Sequence, residues 1–106
     1  MKTAGAQAIA SLSLLHTLKM PGAEQVTSSD LVLIVSSLHK LRTLDLSDAK
    51  RGATDSMVSA LAASNPWLEY LALDECERVT GRGLRALAEN CPRLRHLSLD
   101  GCYQVN

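Results

Sequence analysis

The stretch Leu68-Glu-Tyr-Leu71-Ala-Leu73-Asp-Glu-Cys76 decides the fold, because it returns as Leu94-Arg-His-Leu97-Ser-Leu99-Asp-Gly-Cys102. The same frame fits Leu41-Arg-Thr-Leu44-Asp-Leu46-Ser-Asp-Ala49 and, more loosely, Leu15-His-Thr-Leu18-Lys-Met20-Pro-Gly-Ala23. The first leucines stand at 15, 41, 68 and 94, so the spacings are 26, 27 and 26 residues. Self-similarity at such a period marks stacked supersecondary units, each burying its face on its neighbours. Four matches at a near-constant spacing carry more weight than any single short motif.

Within one unit the apolar pattern changes period. The x-L-x-L-x segment alternates with period 2 and reads as a short strand. Apolar residues three apart follow, as in Gly83-Leu84-x-x-Leu87-Ala88 and then Cys91-Pro92, and these read as a short helix. Strands are expected to centre on Leu18, Leu44, Leu71 and Leu97, with helices near 5–12, 28–38, 55–64 and 81–90. The expected architecture is one α/β solenoid over residues 1–106, with parallel strands on a concave face and helices on a convex face. Leu71 and Leu97 are both expected to be fully buried.

Composition agrees with a layered core. The 106 residues include 19 leucines and 13 alanines but no Phe, and Trp67, Tyr70 and Tyr103 are the aromatic complement. Lys and Arg number 11 against 11 Asp and Glu, so no net charge draws the chain to nucleic acid or an anionic membrane. No apolar stretch approaches the ~20 residues of a bilayer span. Residues 1–10 lack the apolar run of a secretory signal. Three cysteines in a chain this apolar point to a reducing compartment, cytoplasm or nucleus, rather than a disulfide framework.

The run Cys91-Pro-x-Leu94-x-x-Leu97-x-Leu99-x-x-Cys102 resembles the cysteine-containing leucine-rich repeat of F-box/leucine-rich-repeat proteins, and the likeness extends over nearly the whole chain. Ala23 and Ala49 depart from it where that family usually has Cys. The resemblance implies a right-handed solenoid of about four repeats and a role in protein–protein recognition. It implies specifically the substrate-recognition region of an SCF-type ubiquitin ligase, although no F-box stands in this sequence. The alternative is a leucine-rich-repeat scaffold or assembly factor, for example of a mitochondrial complex. The chain opens in the helix of one repeat and closes before the helix of the next, which reads as a piece of a longer solenoid or a short relative. Uncapped ends, with an open strand edge at 95–99, favour self-association.

Residues between the frame leucines face the concave side. The candidate protein-binding residues are therefore Thr43, Asp45, Ser47, Tyr70, Asp74, His96, Ser98 and Asp100, with Glu75 at the rim; Ala72 shares the same face. Lys40, Arg42, Arg93 and Arg95 lead into the strands, while Asp48, Asp74, Glu75 and Asp100 lead out of them. The trailing rim should thus be acidic and suited to a basic segment of a partner. Trp67, in a column with Leu14, Lys40 and Arg93, is a candidate edge anchor, since Trp is enriched among hot spots.

Catalytic chemistry is not indicated, and neither a cofactor nor a metal is expected. Cys76 and Cys102 occupy equivalent positions, but two thiols do not close a zinc site. They read, with Cys91, as free thiols acting as small hydrophobes. His16, His39 and His96 stand at different repeat positions, with no nucleophile set beside them by sequence. Gly81-Arg-Gly83 lacks phosphate-loop spacing. Arg78, Arg82, Arg85, Arg93 and Arg95 are interspersed with acidic residues and lack interleaved aromatics, so a nucleic-acid partner is not expected.

Overall fold

The computed structural model describes residues 3–105; Met1, Lys2 and Asn106, at the ends of the expected domain, lie outside the described residues. Four helices, α1 (Thr3–Ala10), α2 (Ser28–Ser37), α3 (Asp55–Ser64) and α4 (Gly81–Asn90), alternate with four strands, β1 (Thr17–Lys19), β2 (Thr43–Asp45), β3 (Tyr70–Ala72) and β4 (His96–Ser98). The strands form one parallel sheet in chain order, with Leu18, Leu44, Leu71 and Leu97 aligned across it. This is the repeat register expected from sequence. α3 and α4 match their expected bounds, and α2 ends one residue early. α1 lies two residues upstream of its expected span, with the Ser11 hydroxyl donating to the Ala8 carbonyl (2.7 Å) just past its end.

Each helix starts for a local reason. Thr27, Thr54 and Thr80 are N-caps whose hydroxyls accept from the backbone N–H of Asp30, Met57 and Arg82 at 3.2–3.3 Å. The caps also link successive repeats: Ser28 and Thr54 hydroxyls meet at 2.9 Å, and the Asp55 carboxylate accepts from Thr80 N–H at 2.8 Å and Gly83 N–H at 3.2 Å. A Cβ on Gly83 would stand 2.8 Å from that carboxylate and 3.3 Å from Val58, so glycine permits this approach of α4 to α3.

The core lies between the helix row and the sheet. Leu41, Leu44, Leu46, Leu68, Leu71 and Leu73 are fully buried from the strand side, and Ile34, Met57, Val58 and Leu61 from the helix side. Burying each such side chain contributes roughly 1.5–3 kcal/mol. Cys76 and Ala49 share one repeat position, both fully buried, so a small residue fills the same niche.

One burial expectation is corrected. Leu97 is 39% exposed rather than buried, because β4 ends the sheet and only β3 covers it. Ala72 keeps its expected column on the strand face, and is only 4% exposed there. Its methyl is shorter than the side chains of its register neighbours Asp45 and Ser98.

Asn65, the residue before Pro66, is polar yet wholly buried. It is the C-cap of α3, and its Oδ1 accepts from Leu41 N–H at 3.1 Å. Its Nδ2 donates to the carbonyls of Val35 (3.0 Å) and Leu61 (3.4 Å). One side chain thereby ties the end of α3 to the preceding repeat. The 26-residue period marks the position but not this bonding.

Candidate functional site: the strand face and its rims

The register sets the candidate residues in columns across the sheet. Thr17, Thr43, Tyr70 and His96 form one, and Lys19, Asp45, Ala72 and Ser98 the next. Tyr70 and His96 are both exposed, with ring centroids 5.9 Å apart and planes tilted by 46°. That contact gives the face one aromatic platform. Thr43 lies beside it, half-buried.

A polar array crosses the next columns. Asp45 Oδ1 accepts from Ser47 N–H (3.0 Å), and the Ser47 hydroxyl accepts from Asp74 N–H (3.2 Å). Asp74 Oδ1 in turn accepts from the Ser98 hydroxyl (2.5 Å) and Asp100 N–H (2.9 Å). Asp74 is therefore both a surface carboxylate and the link that orders β4 and the turn after it. Of the sequence-derived candidates, the structure brings Asp45, Ser47, Asp74, Ser98 and Asp100 into one array and Tyr70 with His96 into a second cluster.

The acidic trailing rim has a backbone signature that the composition does not reveal. Gly22, Asp48, Glu75 and Gly101 occupy the same repeat position, and all have positive φ, at 78°, 67°, 61° and 79°. Gly and Asp visit this region readily, whereas a Glu there is uncommon. Glu75 lies against Gly101, where an added Cβ would meet its carboxylate at 2.6 Å. The half-buried acidic residues 48 and 75 thus share a left-handed backbone just past their strands.

The cysteines are buried and free. Cys76 donates to the Leu46 carbonyl at 3.3 Å and Cys102 to that of Leu73 at 3.0 Å, each reaching the preceding repeat. Burial pushes the Cys76 thiol up to about 12, and it raises Cys91 and Cys102 as well. Such thiols are poor nucleophiles and poor metal ligands. Among the described residues no group of three His, Cys, Asp or Glu side chains is placed to hold a metal, and no helix is long and apolar enough to cross a membrane.

Trp67 stands on the leading rim, 47% exposed, with the Arg93 guanidinium 4.3 Å from its ring centroid. Sequence placed the two residues in one column, and the stacking is a tertiary finding.

Four stacked strand–helix units with a leucine frame define an α/β leucine-rich-repeat solenoid. Comparison with known proteins agrees: a family model described as Leucine Rich repeat matches residues 64–88. Among solved structures, the chain is similar to one described as Leiomodin-1 Actin-Binding Site 2, at 16% identity and a TM-score of 0.72, covering 94% of this chain and 62% of that one. It is also similar to the tropomodulin C-terminal domain from Caenorhabditis elegans, at 12% identity and a TM-score of 0.71, covering 98% of this chain and 67% of that one. The chain thus spans about two thirds of the length of these structures. No curated protein matches it.

Proposed function

We propose that this chain is a protein-binding module that holds a partner segment against its strand face and acidic trailing rim. The observation that carries the reading is the pairing of an exposed Tyr70–His96 platform with the carboxylates of Asp45, Asp74 and Asp100, none of which belongs to the buried leucine core. An extended basic segment laid across β2 to β4 would meet the aromatic platform and the carboxylates together. The description of one similar structure as an actin-binding site supports the general class, a repeat surface that binds protein. The module acts by binding rather than catalysis. Three free cysteines support a reducing location, cytoplasm or nucleus.

The finer reading is substrate recognition for an SCF-type ubiquitin ligase, supported by the Cys91–Cys102 run that resembles F-box/leucine-rich-repeat proteins. A scaffold or assembly role is the second reading, and an F-box in the full reading frame separates the two. Self-association through the open edge of β4, where Leu97 is exposed, belongs to the same proposal.

The test is affinity of a co-purified partner for wild type, Tyr70→Ala/His96→Ala, and Asp45→Asn/Asp100→Asn. The aromatic double variant should weaken binding about tenfold or more. The carboxylate variant should slow association and flatten its salt dependence. Unchanged binding by both variants, with native circular dichroism, would place the interaction surface elsewhere.

A further inference from the structure

The leading rim carries a surface that the strand-face reading does not use. The backbone stacks three of its residues in successive repeats: Glu69 N–H donates to the Arg42 carbonyl and Arg95 N–H to the Glu69 carbonyl, both at 2.8 Å. Two residues upstream of each lie Lys40, Trp67 and Arg93. Lys40, Arg42, Arg93 and Arg95 are all exposed, and the half-buried Glu69 is the one opposing charge in these two rows. Adjacent rungs are about 4.8 Å apart, so the four cations lie within the reach of a short peptide.

Backbone hydrogen bonds shape the tips of this rim. Asn65 and Cys91 close α3 and α4, and tight turns return through Leu68 N–H to Asn65 O (3.3 Å) and Leu94 N–H to Cys91 O (3.2 Å). Pro66-Trp67 and Pro92-Arg93 are the central residues of those turns, and together they line a groove of about 320 Å³. Arg93 lies over the Trp67 ring. No acidic side chain pairs with Arg93 there among the described hydrogen bonds, and an exposed guanidinium beside an indole can still offer N–H donors to a carboxylate.

We propose that this rim is a second docking site, which takes an acidic segment of a partner protein: an apolar residue seated between Pro66 and Pro92 against Trp67, flanked by carboxylates on Arg93, Arg95 and Lys40. Charge complementarity selects the occupant. A nucleic acid fits less well, because Arg93 already covers a face of the one indole available for base stacking and the far rim is acidic. The site is separate from the strand face, so it stands or fails independently of that reading.

The experiment uses the whole chain and short synthetic peptides. In the first peptide a leucine is flanked on both sides by glutamates; in the second the leucine is glycine; in the third the glutamates are glutamines. Trp67 is the sole tryptophan, so its emission reports occupancy directly. The first peptide should give a saturable change that weakens with salt, and the other two should bind at least about tenfold more weakly. Anisotropy of the labelled first peptide should show a comparable loss for Arg93→Glu and, as a separate variant that leaves the Arg93–Trp67 contact in place, for Lys40→Glu. Absence of saturable binding overturns the proposal, as does equal binding by the glutamine peptide or by both charge-reversed variants. Tighter binding of a single-stranded oligonucleotide would give the rim to nucleic acid. A concentration-dependent dimer in sedimentation that Arg93→Glu abolishes would give it to a second copy. Either result overturns the proposal as stated.

Discussion

Replacing Asn65 should destabilise this chain more than any other polar substitution, with a pH signature that separates bonding from packing. The residue is fully buried and serves three groups: the Leu41 N–H and the carbonyls of Val35 and Leu61. In Asn65→Ala the Leu61 carbonyl keeps the bond from the backbone N–H of residue 65, at 2.9 Å. Leu41 N–H and Val35 C=O lose their side-chain partner. Each orphaned buried group costs about 1–3 kcal/mol, so the loss should be about 2–6 kcal/mol. A domain of this size has only about 5–15 kcal/mol in total. Asn65→Asp keeps the shape and the acceptor for Leu41 but turns a carboxylate oxygen towards two carbonyl oxygens. Ionisation is then penalised in the fold, and the protonated form, with an O–H donor, is favoured. The native state therefore binds the proton more tightly than the unfolded chain, and stability is lost as pH rises through the folded-state value. Urea unfolding followed by circular dichroism at pH 4.5 and pH 8 should show the Asn65→Asp deficit growing with pH, while the Asn65→Ala deficit stays level. A loss below about 0.5 kcal/mol for Asn65→Ala, or a pH-independent Asn65→Asp deficit, would refute the assignment of Asn65 as the tie between repeats.

Position in the array should govern the leucine frame: Leu71→Ala should cost about 2–5 kcal/mol, and Leu97→Ala, already 39% exposed, about 1 kcal/mol. Equal losses in chemical denaturation would show that β4 is covered in solution. The thiols give an alkaline limit. Their folded values are raised, so the native state holds protons that the unfolded chain releases, and stability should be level below the ordinary thiol range near 8.5 and fall above it. Cys76, held near 12, should account for up to about 1.4 kcal/mol per pH unit between pH 9 and 11, and Cys76→Ala should flatten the slope of unfolding free energy against pH. An unchanged slope would show that other groups set that limit.

How much was legible in the sequence depends on whether a property repeats. The 26- and 27-residue spacing determined the parallel strands, their register on Leu18, Leu44, Leu71 and Leu97, and the bounds of α3 and α4 within a residue. These follow from the alternation of period 2 with period 3 to 4 inside each unit, which any stretch of the chain carries locally. Tyr70 beside His96 and the basic and acidic rims were legible for the same reason, since adjacent copies of a repeat place equal positions side by side.

What the period could not express was decided by the tertiary structure. Leu71 and Leu97 are identical in the frame, yet only Leu71 has a strand on both sides, so burial depended on place in the array. Asn65 and Asp74 each bond groups in another repeat, and a pattern of residue types says nothing about which donor meets which acceptor. The left-handed backbone shared by Gly22, Asp48, Glu75 and Gly101 was hidden because two of the four are not glycine, so residue type alone does not mark the conformation. Arg93 over Trp67 is the same kind of fact: the sequence put both in one column, and only the packing of consecutive turns brought the cation onto the ring.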